Sequence, residues 1–370
     1  SLYPYDGSLA EKLQWRNSGS YIDLYIFDNE YPRTTGYVNF SHDGWGALQG
    51  SLQDGYGLSG DLEYIGVNGG PGVGGGIHNQ SANVWDPANN RESNLEVDLT
   101  EGVTVEFWLN KTEFLSSLTE KEVILDIWNN ELSSSADYGR FRLELTGAAS
   151  GPSWLVTIMS GTAGVSTSSV GSVQAATVTD GNWHHYAFTF LSASAGITTK
   201  TYLDGDLQLT ETIGSAGINK IRGSMQANIG ALLTAVSGAT TPSSTALGYG
   251  KLSGSLDEFR YWKTQRSSEK IGRYWFTQVG GGTNTDLANT DLGIYYKFNE
   301  GITGLAATDN TVLDYSGRVS NGTWTGYAAG ARNTGSAIVS SSAAPSEYVD
   351  PIMYSFHPDV DAKLTALKLS

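Results

Sequence analysis

Cysteine is absent from the 370-residue sequence, and basic residues are scarce, with 22 Lys and Arg against 38 Asp and Glu. Without cysteine the fold has no disulfides, thiolate metal ligands or thiol nucleophile, so packing alone must hold it together. The net charge of −16 opposes a nucleic-acid partner, because binding a phosphate backbone requires clustered Lys and Arg. We therefore expect no nucleic acid among the partners.

Long apolar runs are also missing. No stretch approaches the roughly 18 consecutive apolar residues that a membrane helix needs, so we expect no membrane insertion. The first residues, SLYPYDGS, have neither the basic region nor the apolar run of a signal peptide, and there is no initial Met. We expect a processed product or a piece of a longer protein.

What the sequence does contain favours β structure. Gly (46), Tyr (20) and Trp (10) are abundant while only 16% of residues are charged, which suits short strands and tight turns. Apolar residues alternate with period two at 103–109 (VTVEFWL), 123–128, 141–145 and 154–158, and this alternation predicts strands with one buried face.

Further strands are predicted after residue 180. DGNWHHYAFTF (180–190) and TKTYLDGDLQL (199–209) are two of them, the second bent back at Leu203-Asp204-Gly205, because Asp-Gly favours a hairpin. ANIGA (227–231) and GSLDEFRYW (254–262) follow, and then Ser267 or Ser268 can cap one short helix.

These patterns divide the chain into four parts. Residues 1–75 form a β-rich extension, with two strands in 21–40 and a Gly-rich loop at 66–76, and residues 76–280 form the main module. Residues 281–340 either complete that module or start a second one. Residues 341–370 form an extended tail with a short amphipathic helix, DAKLTALKL.

The succession VTVEFWL, DGNWHHYAFTF, TYLDGDLQL, IGALL and GSLDEFRYWKTQRSSEKI resembles the laminin G-like and pentraxin-like jelly-roll family over about 81–276. The resemblance implies an all-β, concanavalin A-like sandwich of two antiparallel sheets. GIYYKFNEGITG and VLDYSGRVSNGTW (293–324) also look like this family, but they normally stand at the beginning of a module. Either the chain is permuted and they complete one sandwich, or a second module starts there.

The last two dozen residues, EYVDPIMYSFHPDVDAKLTALKLS, resemble segments of virion structural proteins from marine T4-like tailed phages. The resemblance implies a virion or extracellular location. The expected partners are other virion subunits, or further copies of the chain in a homo-oligomer.

One motif suggests catalysis. Glu96 and Glu101, with Asp98 between them, form an E-x-D-x-x-E pattern that resembles the catalytic strand of laminarinase-type glycoside hydrolases. Retaining hydrolysis needs two carboxyl groups about 5 Å apart. Gly102, however, suggests a turn directly after Glu101, so we expect a solvated strand edge and assign no catalytic residue.

The histidines and acids are the candidate metal ligands of this sequence. His184 and His185 are neighbours on one strand and point to opposite faces, so they cannot chelate one ion together. Calcium is the more plausible cofactor, since an acidic chain with Gly-, Asn- and Asp-rich loops offers several oxygen ligands. By the family resemblance the best candidate ligand is Asp257, with Asp86 and Asp98 as partners. Asp257 could equally hydrogen-bond a neighbouring loop and bind nothing.

Aromatic side chains near loops are candidates for stacking on sugar rings, and they are Trp45, Trp85, Trp128 and Tyr249. We expect a non-enzymatic virion structural, decoration or adhesion protein that uses its jelly roll for subunit contacts or for attachment to cell-surface glycans. The alternative is a carbohydrate-binding module of a secreted bacterial protein. The step from fold to activity rests on analogy, because this sandwich hosts many functions.

Overall fold

A computed structural model describes residues 13–18, 21–26, 36–40, 64–67, 78–79, 84–85, 95–114, 121–129, 131–147, 151–221, 223, 225–234, 250–279, 291–316, 321–327, 330–342 and 352–356. Its main feature is a pair of eight-stranded antiparallel sheets, so the predicted all-β class with a jelly-roll sandwich is confirmed.

The strands are, in chain order, β1 (Leu13–Ser18), β2 (Tyr21–Ile26), β3 (Gly36–Asn39), β4 (Tyr64–Val67), β5 (His78–Asn79), β6 (Val84–Trp85), β7 (Val97–Asp98), β8 (Val103–Asn110), β9 (Lys121–Trp128), β10 (Gly139–Thr146), β11 (Trp154–Ser160), β12 (Ala163–Val170), β13 (Trp183–Ala193), β14 (Gly196–Leu203), β15 (Asp206–Ile213), β16 (Lys220–Ile221), β17 (Gln226–Ile229), β18 (Ser255–Trp262), β19 (Leu292–Tyr296), β20 (Thr311–Val312), β21 (Gly322–Thr325), β22 (Arg332–Thr334) and β23 (Ile352–Phe356). The helices of the described residues are short, namely α1 (Ala175–Val178), α2 (Ser268–Tyr274), α3 (Ala306–Asp309) and α4 (Ala337–Ser340).

The first sheet has the strand order β12-β11-β10-β9-β17-β4-β21-β20, and the second has β15-β14-β13-β8-β18-β3-β22 with β19 also paired to β18. Three smaller sheets join β1-β2-β23, β16-β7 and β5-β6. Neighbours in the main sheets are often far apart in sequence. Strand order is therefore decided by long-range contacts.

Aromatic side chains fill the space between the two sheets. Trp154 of the first sheet lies against three rings of the second, with centroid separations of 4.8 Å to Phe188, 4.9 Å to Tyr186 and 5.8 Å to Phe107. All four side chains are at most 1% exposed. The alternating apolar positions that predicted these strands thus form one continuous core.

Two local predictions from the sequence are confirmed. The Asp-Gly hairpin joins β14 to β15, and Asp204 and Gly205 have φ values of 49° and 83°, the positive values that a tight hairpin of this type requires. Ser267 caps α2, since its hydroxyl accepts a hydrogen bond from the Lys270 amide at 3.2 Å.

Strands outside the central module belong to the same two sheets. β3 and β4 precede it, and β19, β20 and β21 follow it, yet all are hydrogen-bonded into the main sheets. β19, β20 and β21 therefore contribute to this sandwich, and β3 and β4 supply inner strands to its sheets. The amphipathic segment DAKLTALKL at the C-terminus lies outside the described residues.

Candidate functional site

The outer face of the second sheet is covered by the chain itself. Trp275, which follows α2, packs on Trp108 of β8 with ring centroids 5.4 Å apart, and Ile338 of α4 joins the same buried cluster. Beside them the Glu106 carboxylate accepts a 2.6 Å hydrogen bond from Arg266. A ligand therefore has no access to this face at these residues.

The outer face of the first sheet carries a group of polar side chains. Cross-strand partners share a face, and the register aligns Asn228, Asp126, Arg142 and Thr157 in one row across four strands. Trp128 and Arg140 form the next row, and Glu144 lies beyond Arg142 on the same strand. We call this set the polar face, with members Asp126, Trp128, Arg140, Arg142, Glu144, Thr157 and Asn228.

Two ion pairs organise the polar face. Arg140 forms a two-pronged pair with Asp126, with Nε–Oδ1 at 2.8 Å and Nη2–Oδ2 at 2.5 Å, and both side chains are at most 3% exposed. Burial acts to lower the pKa of Arg140, but the Asp126 charge outweighs it and the pKa rises above its ordinary value. Arg142 pairs with Glu144 at 3.0 Å and donates to the Thr157 hydroxyl at 3.3 Å.

Neighbouring loops fix the edge of this face. The Trp128 indole donates to the Glu131 carbonyl at 2.9 Å, and Asn129 receives the Gly139 amide at 2.9 Å while donating to the Asp137 carbonyl at 2.6 Å. The loop of residues 131–138 is thereby held beside Trp128. The side chains of the polar face are thus largely buried and bonded within the chain, and Arg142, with 12% of its side chain exposed, is the ion-pair member most open to solvent.

Of the four aromatic candidates from the sequence, Trp128 is the one whose side chain the structure describes. Trp128 is only 1% exposed, so neither face of its ring is open for stacking on a sugar. Trp85 ends strand β6, which pairs with β5. Trp45 and Tyr249 lie outside the described residues.

The calcium candidates Asp257 and Asp98 each bind groups of the chain itself. Asp257 is 1% exposed and accepts hydrogen bonds from the amides of Glu258 and Ala337, each at 2.8 Å, which matches the alternative of a hydrogen bond to a neighbouring segment. Burial and the adjacent Glu258 carboxylate raise the pKa of Asp257 well above its ordinary value. Asp98 binds the Thr100 amide and hydroxyl, and Asp86 lies outside the described residues. Within the described residues, no three His, Asp or Glu side chains cluster as metal ligands.

The carboxylates of the E-x-D-x-x-E motif do not share a strand. β7 covers only Val97–Asp98, and the Gly102 amide donates to the Asp98 carbonyl at 2.9 Å, which closes the turn expected from the sequence. Glu101 is exposed in that turn. Glu96 is ion-paired with Lys220.

The polar face was missed at the level of sequence, although a signal for it exists. GRFRLELT (139–146) alternates between apolar and charged residues, and the charged positions Arg140, Arg142 and Glu144 are the ones that line this face. A face with charges of both signs at period two indicates paired side chains on a common surface.

A family model described as the concanavalin A-like lectin/glucanases superfamily matches residues 87–272. The chain belongs to this superfamily. The match begins before β7 and ends within α2, so it includes the polar face but not Trp275. A search among curated proteins finds no match. In the described part of the chain no helix has the length and apolar character needed to cross a bilayer.

Solved structures show distant likenesses. A Bacteroides ovatus protein assigned provisionally to carbohydrate binding is 14% identical with a TM-score of 0.41, over 85% of this chain and 68% of that one. The heptameric SAP-like pentraxin of Limulus polyphemus is 9% identical with a TM-score of 0.30, over 65% and 81% of the two chains. Mouse laminin alpha1 domains LG4-5 are 11% identical with a TM-score of 0.31, over 60% and 48%. Such distant likenesses say nothing about what this chain binds.

Proposed function

We propose that this chain is a non-enzymatic attachment protein whose polar face binds carbohydrate. The observation that carries the proposal is the alignment of Asp126, Arg140 and Arg142 beside Trp128, held by hydrogen bonds on an outer sheet face. Arg142, which keeps 12% of its side chain exposed, is the member of this face that can donate to the hydroxyl groups of a sugar, and the buried Asp126, Arg140 and Trp128 support it from beneath. The superfamily, whose description includes lectins, supports the same reading.

The charge of the polar face indicates whether it binds neutral or acidic sugars. Its two arginines are balanced by the Asp126 and Glu144 carboxylates, so the face is formally neutral. The chain as a whole carries −16 and repels acidic polysaccharides. Neutral glycans are therefore the expected ligands.

Binding is tested on a glycan array with the intact chain and Arg142→Ala. We expect neutral glycans to bind the wild type and to lose most of their signal on the variant. Because Arg142→Ala leaves the buried Glu144 without its cation, Arg142→Lys, which keeps the charge but loses the planar fork, is a second variant. Arg273→Ala is the matched control, since Arg273 lies on α2 with 16% of its side chain exposed and pairs with Glu269.

The array is run with calcium and with a chelator, because calcium binding stays a prediction from the sequence. Binding that requires calcium would place a cation at the sugar site, whereas equal binding in both buffers leaves the side chains of the polar face as the ligands. The proposal fails if no glycan binds in either buffer, or if Arg142→Ala and Arg142→Lys both bind like the wild type.

The absence of catalysis is proposed on the geometry of Glu96 and Glu101. Glu96 is neutralised by Lys220 and precedes the short strand β7, while Glu101 stands in an exposed turn. Retaining hydrolysis requires carboxyl groups about 5 Å apart that act on the same bond. We expect no release of reducing sugar from β-glucans. Release that Glu96→Gln abolishes would make the chain a hydrolase.

The proposed setting is the surface of a tailed phage, where the chain decorates the particle and contacts host glycans or neighbouring subunits. Support comes from the likeness of residues 347–370 to phage virion proteins. β23 of this tail pairs with β2, which ties the tail to the N-terminal hairpin. Detection of the chain on purified particles tests this setting. A monomer secreted by a bacterium would favour the alternative, a secreted carbohydrate-binding module.

A further inference from the structure

The groups that the polar face offers to solvent differ from the groups that it buries. Arg142 keeps 12% of its side chain exposed, and a guanidinium only donates hydrogen bonds. The carboxylates of Asp126 and Glu144 are 0% exposed, so the acceptors of the two ion pairs lie beneath the surface. A ligand that reaches this face at Arg142 therefore meets a donor.

Thr157 holds Arg142 from the neighbouring strand without adding an acceptor to the surface. Its hydroxyl oxygen accepts a hydrogen bond from Arg142 Nη2 at 3.3 Å and another from the Thr167 amide at 3.0 Å. The second bond forms at an irregularity of the β11–β12 pairing, where the register shifts between Val156 and Ile158 and Thr167 has a φ of 53°. Both lone pairs of the Thr157 hydroxyl are thus engaged.

An apolar side chain borders the Arg142 donor. Met159 lies opposite Arg140 in the register, which places it on the outer face of the sheet and diagonal to Arg142. Diagonal neighbours on adjacent strands are within reach of long side chains. Met159 is half-buried, and its partner in β12 is Gly164, which has no side chain to cover it. A donor and an accessible thioether thus adjoin on this surface.

We propose that the polar face selects glycans that carry N-acetyl groups. The inference rests on the proposed carbohydrate binding and narrows its ligand class. An acetamido carbonyl oxygen only accepts hydrogen bonds and matches the Arg142 donor, while the acetamido methyl packs on the Met159 thioether. A sugar hydroxyl at the same place brings no methyl, and its own hydrogen needs an acceptor, which the carboxylates of the polar face keep buried.

A ligand carboxylate would also accept from Arg142, but the charges oppose it. Arg142 is paired with Glu144 at 3.0 Å, so its charge is already balanced. The chain as a whole carries −16 and repels anions. An acetamido carbonyl offers the acceptor without the charge, so the ligand class is neutral N-acetylated glycans.

Isothermal titration calorimetry of the intact chain with triacetylchitotriose and with cellotriose tests the inference. These two β-1,4-linked trisaccharides differ only at C2, where the first has acetamido groups and the second has hydroxyls. We expect the dissociation constant for triacetylchitotriose to be about tenfold lower, because a hydrogen bond to a charged donor and a buried methyl both favour it.

The outcomes separate this inference from the proposed function. Equal dissociation constants for the two trisaccharides overturn the inference and leave carbohydrate binding in place. The same conclusion follows if neither trisaccharide binds while other glycans bind on the array. If no glycan binds in any assay, the proposed function fails and the inference fails with it.

Met159→Ser tests the apolar contact. This variant should reduce the preference for triacetylchitotriose to about threefold or less, because the methyl loses its partner. Leu207→Ser is the matched control, since Leu207 is 48% exposed on β15 of the other sheet, and it should keep the full preference. A full preference in Met159→Ser, or an equal loss in both variants, overturns the inference.

Thr157→Val tests the positioning of Arg142. Loss of the hydroxyl that holds the guanidinium should weaken triacetylchitotriose binding severalfold, and Thr157→Ser, which keeps the hydroxyl, should restore it. Circular dichroism checks that both variants fold, and the comparison of the two trisaccharides on the wild type does not depend on either of them. Equal binding by Thr157→Val and the wild type would overturn the role assigned to Thr157.

Discussion

His184 and His185 are adjacent in strand β13 and occupy opposite environments. The His184 ring lies between two carboxylates, with Nδ1 at 2.7 Å from Asp204 and Nε2 at 3.0 Å from Asp180. The His185 ring is 1% exposed, with Nε2 at 3.8 Å from the Glu106 carboxylate. The pair therefore cannot hold one metal ion, as the alternation of a strand predicts.

We expect His184 to stabilise the fold below about pH 6.5 and to lose that effect as the pH rises through about 9. Its hydrogen bond to Asp204, with a further one to Asp180, raises its pKa from 6.5 to about 9, so the unfolded chain releases the proton first. Unfolding free energies of wild type and His184→Gln should converge between pH 6.5 and 9.5. A difference that stays constant over this interval would contradict the assignment.

His185 is expected to act in the opposite direction. Burial lowers its pKa from 6.5 to about 4, and neither ring nitrogen has a hydrogen-bond partner among the residues that the structure describes. The unfolded chain therefore takes up the proton first, and stability falls as the pH drops from 6.5 towards 4. NMR titration of the imidazole resonances should show His185 neutral at pH 5. His185→Phe should reduce this acid-side loss, and an unchanged pH profile in the variant would refute the argument.

The buried pair in the polar face should be more sensitive to loss of one partner than of both. Asp126→Ala leaves Arg140 charged and buried, and removal of one partner from a buried pair costs about 3–5 kcal/mol. Asp126→Leu combined with Arg140→Met should cost less than Asp126→Ala alone, because no uncompensated charge remains. Urea denaturation measures the free energy of unfolding of the single variant and of the double variant. A double variant less stable than the single variant would show that the pair itself contributes net stability.

Gly205 is required by the packing of Trp275 against the hairpin as well as by the turn of the hairpin itself. A Cβ at Gly205 would lie 2.3 Å from Cδ1 of Trp275, whereas one at Gly304 would meet nothing within 4 Å, and both residues have positive φ, +83° and +78°. Gly304→Ala should therefore cost only the backbone strain of about 1–2 kcal/mol. Gly205→Ala should cost about 1–3 kcal/mol more through overpacking. If Gly205→Ala and Gly304→Ala lower the midpoint temperature of thermal denaturation equally, the steric contribution of Trp275 is ruled out.

Much of the fold was predictable because its signals are local. The alternation of VTVEFWL predicted β8, the Asp-Gly pair predicted the hairpin, and Ser267 predicted the start of α2. Each of these depends on residues within a few positions of one another. β12 (AGVSTSSV) was missed because its residues lack alternation, and its pairing with β11 includes a register shift between Val156 and Ile158.

The candidate site was less predictable. Trp128 was proposed as an exposed ring, yet its burial depends on its place in the first sheet and on the loop that receives its indole. The sequence predicts that Asp257 either binds calcium or hydrogen-bonds a neighbouring loop, and in the structure its carboxylate accepts a hydrogen bond from the amide of Ala337, which is 80 residues away. Neither contact has a local signal.

The sequence alone determined that the chain forms strands with an apolar face and contains no thiol, because composition and alternation act through each residue and its nearest neighbours. Only the tertiary structure decided that β3, β4 and β19–β21 join the sandwich, that Arg140 finds Asp126, and that Ile302 and Leu305 face solvent. The physical reason is that strand order and ion pairing are selected by packing of the whole chain, which spacing along the sequence does not encode.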